Sequence, residues 1–338
     1  MTIVMGFDQH REQIAFDALD TATGEVSRGR IRPADRLGFR RWLRRFEGEE
    51  IEAALEATTG WRFMVEELRA VGARVHLAEP AETSALRGPK KRAKTDLKDA
   101  RRLRELLQAG RVPESWIPPD WILELRSKVR LRHTLSDERG EWQQRIQAQL
   151  YHHGVERRRQ LLVGERRAWL EALELPDAAR RQIRVALAMI DAVDEQLGPL
   201  DRELRALARR QPGCRALMSH YGIGGITAVA IVAELGDAQR FSSSRHAVRY
   251  AGMDITVSES DRKRAPGRLS RQGPPTLRWA LYEAAQVARR RGSPDRDYYE
   301  QAAARLGGNR ACLSVARRLL QRSFHTLREL GEEALQPA

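Results

Sequence analysis

Four carboxylates stand where a protein could use them to hold metal. Asp8 ends Ile3-Val-Met-Gly-Phe7, five mostly apolar residues. Glu56 ends a second apolar run, Ile51-Glu-Ala-Ala-Leu55. Asp96 and Asp99 lie three apart at the start of a stretch with helical spacing, so they share one helix face. An acid at the end of a buried strand is costly unless something pairs with it, and a cation is one such partner. On Asp8 alone, a plain acid at a strand-to-turn boundary is the simpler reading. Its company changes the balance. Four clustered carboxylates do not all stay ionised without a cation. Gathered at one end of a sheet, they would suit two Mg²⁺ ions about 4 Å apart, clamping an in-line displacement at phosphorus.

The elements that would position these acids can be read from periodicity. Residues 2–8, 13–19 and 25–31 read as three strands joined by short turns, an antiparallel meander. Asp35 to Phe46 has helical spacing and ends at Gly48. A strand over 51–56, a helix over 61–71 closed by Gly72 and a strand over 74–78 follow. The order predicts a mixed α/β sheet whose later strands are parallel, each bridged by a helix. Residues 82–94 read as a basic connection, and Thr95 to Gly110 as a capped helix carrying Asp96 and Asp99. Four of the six lysines, Lys90, Lys91, Lys94 and Lys98, crowd beside these acids together with Arg92.

Beyond residue 110, the proline-containing stretch 111–120 reads as a linker. Residues 121–210 are helical, with a narrow apolar stripe that predicts an antiparallel hairpin or coiled coil suited to self-association. From 211 the chain predicts a mostly α domain. Helix, tight turn and helix around Gly222 and Gly224 suit a helix-hairpin-helix, whose glycines and helix N-terminus let backbone amides approach a phosphate; a plain helical turn fits these residues equally well. No strand precedes Gly222-x-Gly224 and Thr227 replaces the third glycine, which excludes a dinucleotide fingerprint. Residues 253–273 read as a loop containing Arg262, Lys263, Arg264, Arg268 and Arg271. Helices resume over 275–290, 295–306 and 310–330.

Composition narrows the function. In 338 residues, 60 Lys and Arg against 46 Asp and Glu leave a net charge of +14, which points to a polyanion and most simply to nucleic acid. Arg-rich coding bias could explain arginine over lysine but not the surplus of positive charge. Cys214 and Cys312 are the only cysteines, so neither a disulfide framework nor a Cys-x-x-Cys zinc pair is available. No signal-peptide pattern, membrane-length apolar stretch or ATP-binding phosphate loop occurs. A reducing, cytoplasmic protein is expected, with no membrane and no ATP.

The motifs Gly6-Phe-Asp8-Gln-His10, Glu56-Ala-Thr-Thr-Gly-Trp61 and Lys94-Thr-Asp96-Leu-Lys-Asp99-Ala100 resemble the RuvC-like DEDD domain of the insertion-sequence one-ten family of transposases. Later blocks resemble the same family in the same order: Tyr221-Gly-Ile-Gly224 through Ala233-Glu-Leu-Gly-Asp237-x-x-Arg-Phe241, then Tyr250-Ala-Gly-Met253, then Gly267-Arg-Leu-Ser-Arg-Gln-Gly273. The resemblance implies an RNase H/RuvC-like fold at residues 1–110, with Asp8, Glu56, Asp96 and Asp99 holding Mg²⁺. Over 211–338 it implies a transposase domain with a nucleophilic serine that attacks a DNA phosphate, leaving a covalent phosphoserine and a free 3′ hydroxyl. It further implies double-stranded donor and target DNA, a structured bridge RNA as guide, and dimers or tetramers with composite sites. Counting from Ala251-Gly252-Met253, the nucleophile falls at Ser260. Asp261 stands where the family has Gly, and Ile255 where it has Pro, so Ser258 is a rival. A RuvC-like nuclease using water and a non-catalytic nucleic-acid scaffold are the alternative readings.

Overall fold

The structure, a computed structural model, describes residues 2–86, 95–158, 160–256, 259, 260, 263, 264 and 267–338; for 256, 259, 260, 263 and 264 it describes the backbone alone. The chain divides into two compact units, Met1–Ile117 and Pro118–Ala338.

The first unit is built on strands β1 (Thr2–Gln9), β2 (Ile14–Asp20), β3 (Val26–Ile31), β4 (Glu50–Glu56) and β5 (Arg74–Ala78). Its helices are α1 (Arg36–Leu43), α2 (Trp61–Ala70), α3 (Pro80–Ala85) and α4 (Asp96–Gln108). The sheet order is β3-β2-β1-β4-β5. β1 runs antiparallel to β2 and parallel to β4, and β4 is parallel to β5. The meander and the helix-bridged parallel strands match the sequence expectation, and the arrangement is consistent with an RNase H-like fold.

Side-chain alternation explains how the sheet is covered. Ile3, Met5 and Phe7 of β1 and Ile51, Ala53 and Leu55 of β4 pack into one core with Phe39 and Trp42 of α1 and Met64 and Leu68 of α2. The intervening residues face the other way. There Val4 and Ala54 meet Leu103 and Leu107 of α4. Gly6 lies on this second face, and a Cβ there would run into the Ala100 carbonyl and the Arg104 amide. Glycine is therefore what lets α4 settle against β1.

A buried ion pair fastens the same contact. Asp17 of β2 is fully buried, with Arg104 Nε 2.7 Å from its Oδ1 and Arg28 Nε 2.5 Å from its Oδ2. Part of the segment expected to be a linker lies along β5: Ser115 N donates to Leu77 O at 2.6 Å. The basic connection begins as α3, which Glu79 caps by accepting from the Glu82 amide. Lys90, Lys91, Arg92 and Lys94 lie outside the described residues.

The second unit begins with α5 (Asp120–His152), α6 (Glu165–Glu171) and α7 (Asp177–Arg210). Lys128–Glu203, Arg132–Asp201 and Arg139–Asp194 ion pairs run in opposite sequence directions, so α5 and α7 form an antiparallel hairpin. Ile146, Leu150, Leu170, Ile183, Leu187 and Ile190 fill its far end. Next come α8 (Pro212–Leu217), the buried α9 (Gly225–Leu235) and α10 (Ser244–Tyr250). The stretch expected to be a loop contains four two-residue strands, β6 (Ile255–Thr256), β7 (Glu259–Ser260), β8 (Lys263–Arg264) and β9 (Arg268–Leu269). β6 pairs with β9 and β7 with β8, both antiparallel, as two separate two-stranded sheets. Its many charged residues mask the strand pattern, while Ile255 and Thr256 are good strand formers. Helices α11 (Pro275–Gln286), α12 (Arg296–Leu306) and α13 (Gly308–Leu330) complete the unit.

Candidate functional site

β1 delivers Asp8 to the end of the sheet, on the face that α4 covers. Phe7 pairs with Leu55, so Glu56, one residue further along β4, ends beside Asp8 and on the same face. α4 begins at Asp96, whose position over β1 follows from the Gly6 contact and the Asp17–Arg104 pair.

Asp8, His10 and Asp96 each offer a ligand atom within 4.8 Å of one another. His10 Nε2 lies 3.2 Å from Asp8 Oδ2 and 3.3 Å from Asp96 Oδ1. Gln13 Nε2 donates to the other Asp96 oxygen, Oδ2, at 3.0 Å, and Arg32 donates to Gln13 Oε1 at 2.6 Å. Asp8 is the most enclosed of the three, its side chain 16% exposed against 35% for Asp96 and 50% for His10. Burial pushes the Asp8 carboxyl above its ordinary range; the charge and hydrogen bond of His10 pull it back, and Asp99 and Asp96 push it up again. Two carboxylates and an imidazole aimed at one point are a ligand set for a divalent cation.

Of the four predicted acids, this grouping unites Asp8 and Asp96. Asp99 is close enough to act on the Asp8 charge, and Glu56 ends the neighbouring strand, but neither belongs to the three-residue cluster. His10 and Gln13 were not among the residues singled out from the sequence. The signal for His10 was there: it follows Asp8 by two residues, the repeat that keeps side chains on one face of a strand.

The other predicted residues fall in different places. Lys98 is exposed in the first turn of α4, Arg268 is exposed in β9, and Arg271 is exposed two residues after that strand. Ser260 lies in β7 and Lys263 and Arg264 in β8; Arg262 and Ser258 lie outside the described residues. Gly222 has φ +93°, and a Cβ on it would come 2.5 Å from the Ala284 carbonyl, so packing on α11 accounts for this glycine. Gly224 is exposed at the start of α9, with open space where a Cβ would be. The base of the serine-bearing segment is closed by backbone. Arg271 N donates to Gly252 O at 3.0 Å and Ser270 N to Asp254 O at 3.1 Å. Arg278 Nη1 donates to Ala251 O at 3.0 Å and to Gly273 O at 2.8 Å.

Two family models match separate parts of the chain. A DEDD-type IS110 model described as a transposase covers residues 5–154, and one described as transposase IS116/IS110/IS902 family covers residues 214–300. The chain carries two domains of the IS110/IS116/IS902 transposase type.

The first family segment includes the whole Asp8–His10–Asp96 cluster, and the second includes the two short strand pairs, Ser260 among them. Among curated relatives, the chain is 27% identical over 150 residues to the transposase for insertion sequence element IS1111A of Coxiella burnetii, covering 43% of this chain and 41% of that protein. It is 31% identical over 143 residues to an uncharacterized 44.8 kDa protein of insertion element IS116 from Streptomyces clavuligerus, covering 41% and 35%. A longer match, 26% over 237 residues, joins it to the transposase for IS1328 of Yersinia enterocolitica, covering 69% and 70%. The chain thus spans about two-fifths of the length of the first two relatives. The DEDD-type domain suggests use of a divalent metal, and Asp8, His10 and Asp96 are the candidate cluster for it. Among the described residues, no helix is long and apolar enough to cross a membrane.

Proposed function

We propose that this chain is a DNA transposase that cuts and rejoins double-stranded donor and target DNA. Residues 1–110 would form the metal-dependent catalytic domain, 111–120 a linker, 121–210 a coiled-coil segment for dimer or tetramer assembly, and 211–338 the serine domain. The observation that carries the reading is the convergence of Asp8 and Asp96, from opposite ends of the first unit's sequence, with a third ligand atom between them.

Asp8, Glu56, Asp96 and Asp99 are the proposed Mg²⁺ ligands. Mg²⁺ held there would supply charge neutralisation and polarisation of the phosphoryl oxygens. Asp8 and Asp96 orient the site, and Gln13 holds the Asp96 carboxylate in place. Ser260 is the proposed nucleophile. Its oxygen forms a bond to phosphorus, the bond from phosphorus to the 3′ oxygen breaks, the serine proton is released to solvent, and the departing 3′ oxygen takes a proton from solvent. The product pair is a phosphoserine and a 3′ hydroxyl, which attacks the adduct to rejoin the strands.

A surplus of 14 positive charges supports contact with nucleic acid backbone. Lys90, Lys91, Arg92, Lys94, Lys98, Arg262, Lys263, Arg264, Arg268 and Arg271 are the proposed contacts. Gly224 and the α9 N-terminus, read as the second helix of a helix-hairpin-helix, are offered for a further phosphate. Target choice is assigned to a structured guide RNA that pairs with donor and target, leaving the protein to read backbone and shape.

The decisive experiment is adduct trapping with Mg²⁺ and DNA bearing the element's ends. A covalent protein–DNA species is expected in the wild type and lost in Ser260→Ala. Asp8→Ala is expected to lose cleavage. Cleavage without an adduct would assign the reaction to water, and no cleavage by the wild type would leave a binding scaffold.

A further inference from the structure

We infer that His10 is a direct nitrogen ligand of the cation at the Asp8–Asp96 centre, and that it gives this centre a higher intrinsic affinity for Mn²⁺ than for Mg²⁺. The inference rests on the metal-binding reading above and adds a ligand to it.

The geometry points to ligation. Two ligand atoms bound to one octahedral ion at about 2.1 Å and at right angles stand about 3 Å apart. His10 Nε2 stands 3.2 Å from Asp8 Oδ2 and 3.3 Å from Asp96 Oδ1. A cation can take the centre of this triangle with small side-chain adjustments. Backbone structure holds the ring there: the His10 amide donates to the Gln13 carbonyl at 2.9 Å, closing the turn between β1 and β2. That turn also delivers Gln13, which ties up Asp96 Oδ2 and leaves Oδ1 facing the imidazole. Arg32 fixes Gln13 in turn, 2.6 Å from its Oε1. This is the arrangement by which outer partners aim ligand atoms at a metal. One short turn therefore supplies both a candidate ligand and the support for another.

Ligand chemistry then sets the preference. Mg²⁺ favours oxygen donors and parts reluctantly with its waters. Imidazole suits first-row transition ions, and Mn²⁺ accepts a mixed nitrogen and oxygen set in octahedral geometry. Ligation uses the Nε2 lone pair, with the ring proton on Nδ1. The basic DEDD scheme has oxygen donors only, so a nitrogen donor changes which ion binds best without changing the phosphoryl-transfer chemistry.

The test is metal binding by the full-length protein without DNA. Mn²⁺ and Mg²⁺ affinities would be measured by calorimetry, and Mn²⁺ ligation by pulsed electron paramagnetic resonance, which detects a coordinated ¹⁴N nucleus. The wild type is expected to show that coupling. In His10→Ser the coupling disappears and Mn²⁺ affinity falls about tenfold or more, with a clearly smaller loss for Mg²⁺. His10→Asp restores an oxygen ligand, so it recovers Mg²⁺ binding without recovering the nitrogen signal. A wild type without ¹⁴N coupling, or an unchanged ratio of Mn²⁺ to Mg²⁺ affinity in His10→Ser, overturns the role of His10. If Mn²⁺ binding is also undiminished in Asp8→Asn, it is the metal centre itself that fails. Far-ultraviolet circular dichroism confirms that each variant is folded.

Discussion

Asp8 ends an eight-residue strand paired on both sides, covered by α1 and α2 on one face and by α4 on the other. Ser260 lies in a two-residue strand paired on one side, to β8. The two residues are the proposed centres of the same chemistry, yet their surroundings impose different kinds of order. Around Asp8, geometry comes from burial: the sheet register, the Gly6 contact and the Asp17–Arg104 pair set where Asp96 stands relative to Asp8. Around Ser260, the described order is concentrated at the base of the segment, where backbone bonds join Arg271 to Gly252 and Ser270 to Asp254 and the Arg278 side chain of α11 donates to the Ala251 and Gly273 carbonyls. Metal ligands need separations held within a fraction of an ångström, and rigid elements provide that. A nucleophile that must meet DNA needs exposure and a well-anchored base.

The comparison can be broken at several points. The largest effect is expected at Asp8. Asp8→Asn should reduce metal-dependent DNA cleavage on the order of a thousandfold, the several kcal/mol that a bound metal supplies. The same change should raise metal-free stability at pH 7 in denaturant titrations, because burial disfavours the charged carboxylate and asparagine has no charge to bury. A loss of stability instead would mean that Asp8 has a structural role in the sheet.

The positioning frame comes next. Arg104→Ala leaves Asp17 buried with only Arg28 beside it and is expected to cost about 3 kcal/mol in urea unfolding of the full chain. Metal affinity should fall with it, since α4 carries Asp96. Unchanged affinity would separate the ion pair from the site.

Gly273→Ala probes the other region. Its Cβ would collide with the Tyr250 carbonyl and come within 2.9 Å of the Ala251 carbonyl carbon. A loss of about 1–3 kcal/mol is expected, together with a lower yield of covalent adduct and unaltered Mn²⁺ binding at Asp8. A parallel loss of metal binding would contradict the separation drawn between the two regions.

The smallest effect concerns pH. Hydrogen bonds from Arg40, followed by those from Arg36, hold the Glu67 carboxyl below its ordinary value of 4.5. A lowered pKa contributes stability that is fully present above 4.5 and is lost as pH falls through the folded value. Glu67→Gln should therefore lower stability modestly at neutral pH and flatten the acid limb of the curve. This links α1 to α2 beneath the sheet and should leave cleavage almost unchanged.

Much of the first unit was legible in its residues. Short apolar runs marked β1 and β4, and Asp8 and Glu56 ended them; helical spacing marked α4 and put Asp96 in its first turn. The segment around Ser260 was harder to read, because two-residue strands are shorter than any repeat that alternation can reveal. His10 was visible as a residue two steps beyond Asp8, but its proximity to Asp96 was not.

The sequence by itself determined the elements, the strand-end acids and the surplus of positive charge, since these depend on residue type and local spacing. Only the tertiary structure decided which groups meet. Asp17 and Arg104 are 87 positions apart. Gly6 matters because a helix begun ninety residues later crosses it. His10, Gln13 and Asp96 become one site only when that helix is seated. Local propensity operates over a few neighbouring residues, whereas a metal site is a convergence of distant ones, and burial of the α4 face against β1 is the physical event that brings them together.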